Sequence, residues 1–66
     1  MKLSDTVALL EDLPEKQLQR GRVGTVVEEL VEDVYEVEFS DDEGRAYALL
    51  PLREDQLITL RYELVA

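Results

Sequence analysis

Carboxylates are the side chains present in quantity that could act on a ligand: sixteen Asp and Glu stand against seven Lys and Arg in 66 residues, with no His and no Cys. Without imidazole or thiol, the usual general bases, activated nucleophiles and nitrogen or sulfur zinc ligands are missing. Ser4, Thr6, Thr25, Ser40 and Thr59 have no His to activate them. Glu36 and Glu38 form a carboxylate pair on the wet face of a strand, where nothing desolvates either group to raise its pKa. Asp41-Asp42-Glu43 clusters three acids, but a calcium loop spreads its ligands over about twelve residues around a glycine. Three consecutive acids in a four-residue turn diverge, so this run reads as a solvated turn. The expectation is a protein that is not an enzyme and holds no metal and no cofactor.

The distribution of the acids carries more information than their number. Glu28, Glu29, Glu32, Asp33, Glu36, Glu38, Asp41, Asp42 and Glu43 fall within sixteen residues that contain no base, while the rest of the chain has seven acids and all seven bases. The formal charge of -9 is therefore a local property. Such a stretch predicts a docking surface for a basic protein partner, because complementary charge speeds encounter and excludes wrong partners. The same acids would also serve solubility and edge protection. The expected contacts are Glu36 and Glu38, surrounded by Glu28, Glu29, Asp41 and Asp42, with Tyr47 as an aromatic anchor if it faces outward. Lys16, Arg20 and Arg22 are too few to make a nucleic-acid site in so acidic a chain, and are expected to neutralise neighbouring acids such as Glu15. A proline-peptide groove needs an aromatic lining, and this chain has no Trp, one Phe and three Tyr.

The elements that would position these residues are short strands, read from period-2 alternation and turn residues. The first spans Asp5 to Leu10. Pro14, which lacks a backbone donor and pushes Leu13 out of helical space, makes Glu11 to Arg22 a long loop compatible with a single helical turn. Val23 to Val31 is the second strand, rich in β-branched residues, and Glu32-Asp33 its turn. Val34 to Ser40 alternates most cleanly, with Tyr35, Val37 and Phe39 on one face and Glu36, Glu38 and Ser40 on the other. Asp41 to Gly44 is a hairpin turn. The fourth strand, Arg45 to Leu50, places Ala46, Ala48 and Leu50 against Tyr47 and Leu49, and Pro51 stops it. Leu52 to Gln56 has room for one 3₁₀ turn. Leu57 to Glu63 closes the chain as a fifth strand, although Asp55 to Val65 also fits a helical period.

Together these elements predict one all-β domain over residues 1–66, a small five-stranded SH3-like barrel with a short 3₁₀ turn before its last strand. The expected core is Val7, Leu9, Val23, Val26, Tyr35, Val37, Phe39, Ala46, Ala48, Leu50, Leu57 and Leu60. No apolar run approaches the roughly twenty residues a membrane span requires, nor the apolar core of a signal peptide, so a cytoplasmic protein is expected.

Four blocks also carry a resemblance: Asp5 to Pro14, Arg20 to Glu28, Val34 to Phe39 with Asp41 to Gly44, and Tyr47 to Leu50. In combination they resemble the bacterial domain-of-unknown-function family numbered 4926. The resemblance implies an SH3-like barrel, no known enzyme activity, and frequent encoding beside a second small gene in a toxin-antitoxin or toxin-immunity arrangement. It brings no assigned functional residues. The leading expectation is a non-enzymatic antitoxin or immunity-like protein that neutralises a basic, nuclease-type partner encoded nearby. The alternative is a structural or regulatory SH3-like module that self-associates or joins a larger enzyme through Ala8, Leu10, Leu49, Leu52 and the tail Leu64-Val65. Survival of the complex in about 0.5 M salt would favour the apolar surface, since exposed charges are then screened within a few ångströms.

Overall fold

A computed structural model describes residues 1–61. The alternating segments form five strands: β1 (Thr6–Leu9), β2 (Val23–Val31), β3 (Val34–Ser40), β4 (Ala46–Arg53) and β5 (Leu57–Thr59). All belong to one antiparallel sheet in the order β4-β3-β2-β1-β5. Among the described residues β4 and β5 do not pair with each other, so the ladder has two free edges. The all-β expectation holds at that level. Both edges are protected by their residues, β4 by Pro51 and β5 by its length of three residues, features that discourage pairing with another chain. The part of the expected last strand beyond Arg61, and the tail Leu64-Val65, lie outside the described residues.

β3 shows why the sheet has an inside. Tyr35, Val37 and Phe39 are buried while Val34, Glu36 and Glu38 are half-buried on the opposite side, as period-2 geometry requires. Burial of each large side chain in this row stabilises by about 1.5 to 3 kcal/mol before chain entropy is set against it. Val7 and Leu9 of β1, Val26 of β2, Leu50 and Leu52 of β4 and Leu57 of β5 complete the inner layer.

Five expectations are corrected. Pro51 does not stop β4, which runs on to Arg53. At a sheet edge a missing N–H can face solvent without breaking a ladder bond, and the extension carries Leu52 into the core. Leu52 is therefore unavailable to the apolar docking surface expected of it. Val23 is exposed, because it and Val26 are three positions apart and cannot share a face in regular alternation. Gly24 takes the inner position instead, between Val7 and Phe39. Ala46 is exposed at the hairpin mouth, where the β3–β4 register slips after Phe39. Leu60 is only half-buried and follows the end of β5.

The long loop contributes to the core in a way its polar composition hides. Its 3₁₀ turn at Pro14–Lys16 (η1) is followed by Gln17 at φ 58°, which folds the chain back so that Leu13 and Leu18 bridge each other. Leu13 and Leu18 are both buried and pack on the sheet residues. The second 3₁₀ turn, η2 (Glu54–Gln56), stands before β5 as expected. Gln56 caps it by accepting from the Arg53 backbone N–H at 2.8 Å, and its amide donates to Glu11 at 3.0 Å.

Candidate functional site

The expected acidic surface is divided by a bulge in β2. Val26 faces inward opposite Val37, and the register then slips so that Glu28 faces Glu36 and Glu29 faces Tyr35. Glu28, Glu36 and Glu38 consequently share the outer face, while Glu29 is turned to the other side of the sheet, at the end of the core. Glu36 lies between Glu28 on β2 and Pro51 on β4, and Glu38 between Thr25 and Leu49. Like charges directly opposite each other destabilise a sheet, so the Glu28–Glu36 pair opposes folding. The two central glutamates are half-buried.

Glu29 has a different environment. It stands across the ladder from Tyr35, whose phenol is pushed above its ordinary value first by burial, then by the charge of Glu29, then by Glu54 and Asp33. Asp33 sits in the β2–β3 turn at φ 63° and its carbonyl accepts from the Glu54 N–H at 2.8 Å. That bond brings η2 and its acids to the Tyr35 end of the sheet. Among the described residues, no three Asp or Glu are gathered closely enough to hold a metal ion.

Asp41 and Asp42 lie at the opposite end, in the β3–β4 hairpin. Asp41 Oδ1 accepts from the backbone N–H groups of Glu43 and Arg45, both at 2.9 Å, and Gly44 at φ 80° completes the turn. Its carboxylate is thus occupied in shaping the loop, and Arg45 pairs with both Asp41 and Glu43. Asp42 remains exposed. Of the seven expected contacts, the fold brings Glu28, Glu36 and Glu38 together, sets Asp41 and Asp42 at one end, and separates Glu29.

Tyr47 does face solvent, as the extra residue between Ala46 and Ala48 where the β3–β4 register slips. Leu49 (55% exposed), Ile58 (50%), Val23 (48%) and Tyr47 (44%) leave apolar surface in solvent. Ile58, Ala8 and Val23 form one cross-strand row on the outer face, in which Ala8 is buried between the other two and so, like Leu52, is unavailable for docking, and Leu49 lies beside Glu38. Acidic and apolar groups therefore occupy the same sheet face. Sequence reasoning named Leu49 but missed Val23 and Ile58, since an isolated β-branched residue shows no preference for either face until its partners across the ladder are known.

The bases do not behave as expected. Among the described residues the ion pairs involve Arg45 and Arg53, and neither Lys16, Arg20 nor Arg22 joins an acid within 4.0 Å. The guanidinium of Arg22 lies 5.6 Å above the centre of the Tyr47 ring, and its Nε donates to the Tyr47 hydroxyl at 3.2 Å. No helix is long and apolar enough to cross a membrane, among the described residues. A family model described as a domain of unknown function, DUF4926, matches residues 3–59. No curated protein and no solved structure matches the chain.

Proposed function

The chain belongs to the DUF4926 family of unknown function, and from that premise we propose that it is a non-enzymatic SH3-like interaction protein that binds and neutralises a basic protein partner. The observation that carries this reading is the shared outer face: Glu28, Glu36 and Glu38 lie in adjacent rows with Leu49, Pro51 and Thr25. Half-burial holds the stems of Glu36 and Glu38 while apolar neighbours lower the local dielectric, which strengthens attraction for an approaching cation. A positive cleft of the kind that binds phosphate, as in a nuclease, complements such a face, and occupying it excludes the substrate. An antitoxin or immunity role beside a toxin-like gene agrees with this chemistry. The SH3-like reading is supported by the strand order, by the 3₁₀ turn ahead of β5, and by one core drawn from β1 and β5 as well as β3 and β4.

The test is co-purification with the product of the adjacent gene, followed by association kinetics. The double variant Glu36→Lys/Glu38→Lys is expected to slow association about tenfold or more at low salt, within the range of electrostatic steering. It is also expected to release the toxicity of a co-expressed partner. Binding and protection equal to wild type would overturn the electrostatic reading. The exposed Leu49, Ile58, Val23 and Leu10 favour a second reading, association through an apolar surface, for which the complex would persist unchanged in about 0.5 M salt.

A further inference from the structure

A second surface has the opposite charge. A groove of about 770 Å³ lies along the 11–22 loop and is lined by Asp12, Pro14, Gln17, Leu18, Gln19, Arg20 and Arg22. Its position is firmly set. Leu13 and Leu18 anchor the loop in the core, Arg20 N–H donates to Asp12 Oδ1 at 2.8 Å, and Gly21 N–H donates to the Leu9 carbonyl at 2.8 Å while Leu9 N–H donates to Arg22 O at 2.9 Å. One carboxylate oxygen of Asp12, the one acid of the lining, is thereby taken up by backbone, and the two arginines leave the lining with a net positive charge.

Arg22 is oriented further by its own side chain. The guanidinium lies over the Tyr47 ring, 5.6 Å from its centre, and its Nε donates to the Tyr47 hydroxyl, which leaves the donors of its two terminal nitrogens without a hydrogen bond or ion pair among the described residues. With no acid within 4.0 Å among the described residues, the Arg22 guanidinium has a fork ready for an outside anion. A guanidinium with Nε occupied presents its terminal nitrogens to a carboxylate in a two-bonded arrangement. Gln17 and Gln19 supply amide donors and acceptors of the kind that pair with a peptide backbone, and Pro14 offers an apolar ledge.

We propose that this groove binds an acidic peptide segment, with a carboxylate of the ligand on the terminal nitrogens of Arg22, Arg20 as a second positive charge, and Gln17 and Gln19 on the adjacent peptide groups. A peptide carboxylate suits the site better than inorganic phosphate, because Gln17 and Gln19 can pair with the peptide groups beside it, which phosphate lacks. This site is independent of the acidic face and would give the protein two surfaces of opposite preference.

The test is a titration of the isotopically labelled full chain, followed by nuclear magnetic resonance, with three probes: a short alternating Glu-Ala peptide, the same peptide with Gln for Glu, and inorganic phosphate. The Glu peptide is expected to shift the amides of Gln17, Gln19, Arg20 and Arg22 and the Arg22 side-chain Nε resonance saturably. The Gln peptide should leave them in place, and phosphate should bind about tenfold more weakly. Arg22→Lys keeps the charge but loses the fork, and should weaken the Glu peptide about fivefold with the strand resonances unmoved. Glu36→Lys/Glu38→Lys should still bind it. Equal binding of both peptides, phosphate binding as tightly as the Glu peptide, an Arg22→Lys chain that binds as wild type, or no saturable shift at millimolar peptide would each overturn the proposal.

Discussion

Gly24→Ala tests how tightly β1, β2 and β3 are packed. Gly24 stands on the inner face opposite Val7 and Phe39, and a Cβ added there would meet the Glu38 backbone oxygen at 2.8 Å, Val37 Cγ1 at 2.8 Å and Phe39 Cδ1 at 2.9 Å. None of these neighbours can yield easily, since one is a carbonyl of the sheet ladder and the other two belong to fully buried side chains. Overpacking of this kind costs about 1 to 3 kcal/mol, and three rigid contacts place Gly24→Ala at about 2 to 3. A domain of this length has a total stability of about 3 to 10 kcal/mol, so a large fraction is at stake. With about 4 to 8 °C per kcal/mol for small domains, the melting temperature should fall by about 10 to 20 °C. The assay is thermal and urea unfolding by far-ultraviolet circular dichroism and tyrosine fluorescence, as the chain has no Trp. Gly44 supplies the contrast: it has φ 80° and open space around it, so Gly44→Ala should cost about 1 to 2 kcal/mol from left-handed strain alone, and Gly44→Asn should recover most of that. Gly24→Ala within about 0.5 kcal/mol of wild type would refute the close-packing argument.

Leu18 is 1% exposed despite its place in a polar loop, and Leu18→Ala should cost about 2 to 5 kcal/mol in a urea titration, whereas Gln19→Ala next to it should be near neutral. Glu28→Lys replaces a like-charge pair with an opposite-charge pair across Glu36, and should raise stability by about 0.2 to 1 kcal/mol while slowing association with a basic partner. The Tyr35 phenol is raised by burial first and Glu29 second. Its contribution is fully present below the unfolded value of about 10 and is lost as pH rises from there toward the folded value. Stability should therefore decline above about pH 10, and alkaline unfolding of Tyr35→Phe should show a shallower decline.

Strand positions were legible wherever alternation was unbroken. In Val34–Ser40 each residue's neighbours agree on a face, and burial follows the pattern without exception. The pattern gave no warning at β2, where one bulge reverses the facing of Glu29 relative to Glu36. A bulge depends on how two strands meet, and no local property of Val27 or Glu28 announces it. Pro51 misled for a similar reason: proline forbids a central ladder position but not an edge, and whether a strand is central is decided by the others. The loop's Leu13 and Leu18 were hidden by polar company, because isolated leucines have no period to reveal their burial.

The residues alone determined that this protein lacks the groups for imidazole or thiol chemistry, that it is built of strands, and that its negative charge is concentrated between Glu28 and Glu43. Those properties follow from side-chain types and from a period of two, which require no knowledge of partners. Tertiary structure decided which acids share a surface, that Tyr47 would meet Arg22 twenty-five positions away, and that Arg22 would have no described acid within 4.0 Å. Distance along the chain sets charge density, but only strand register and loop anchoring convert it into a face with a defined sign.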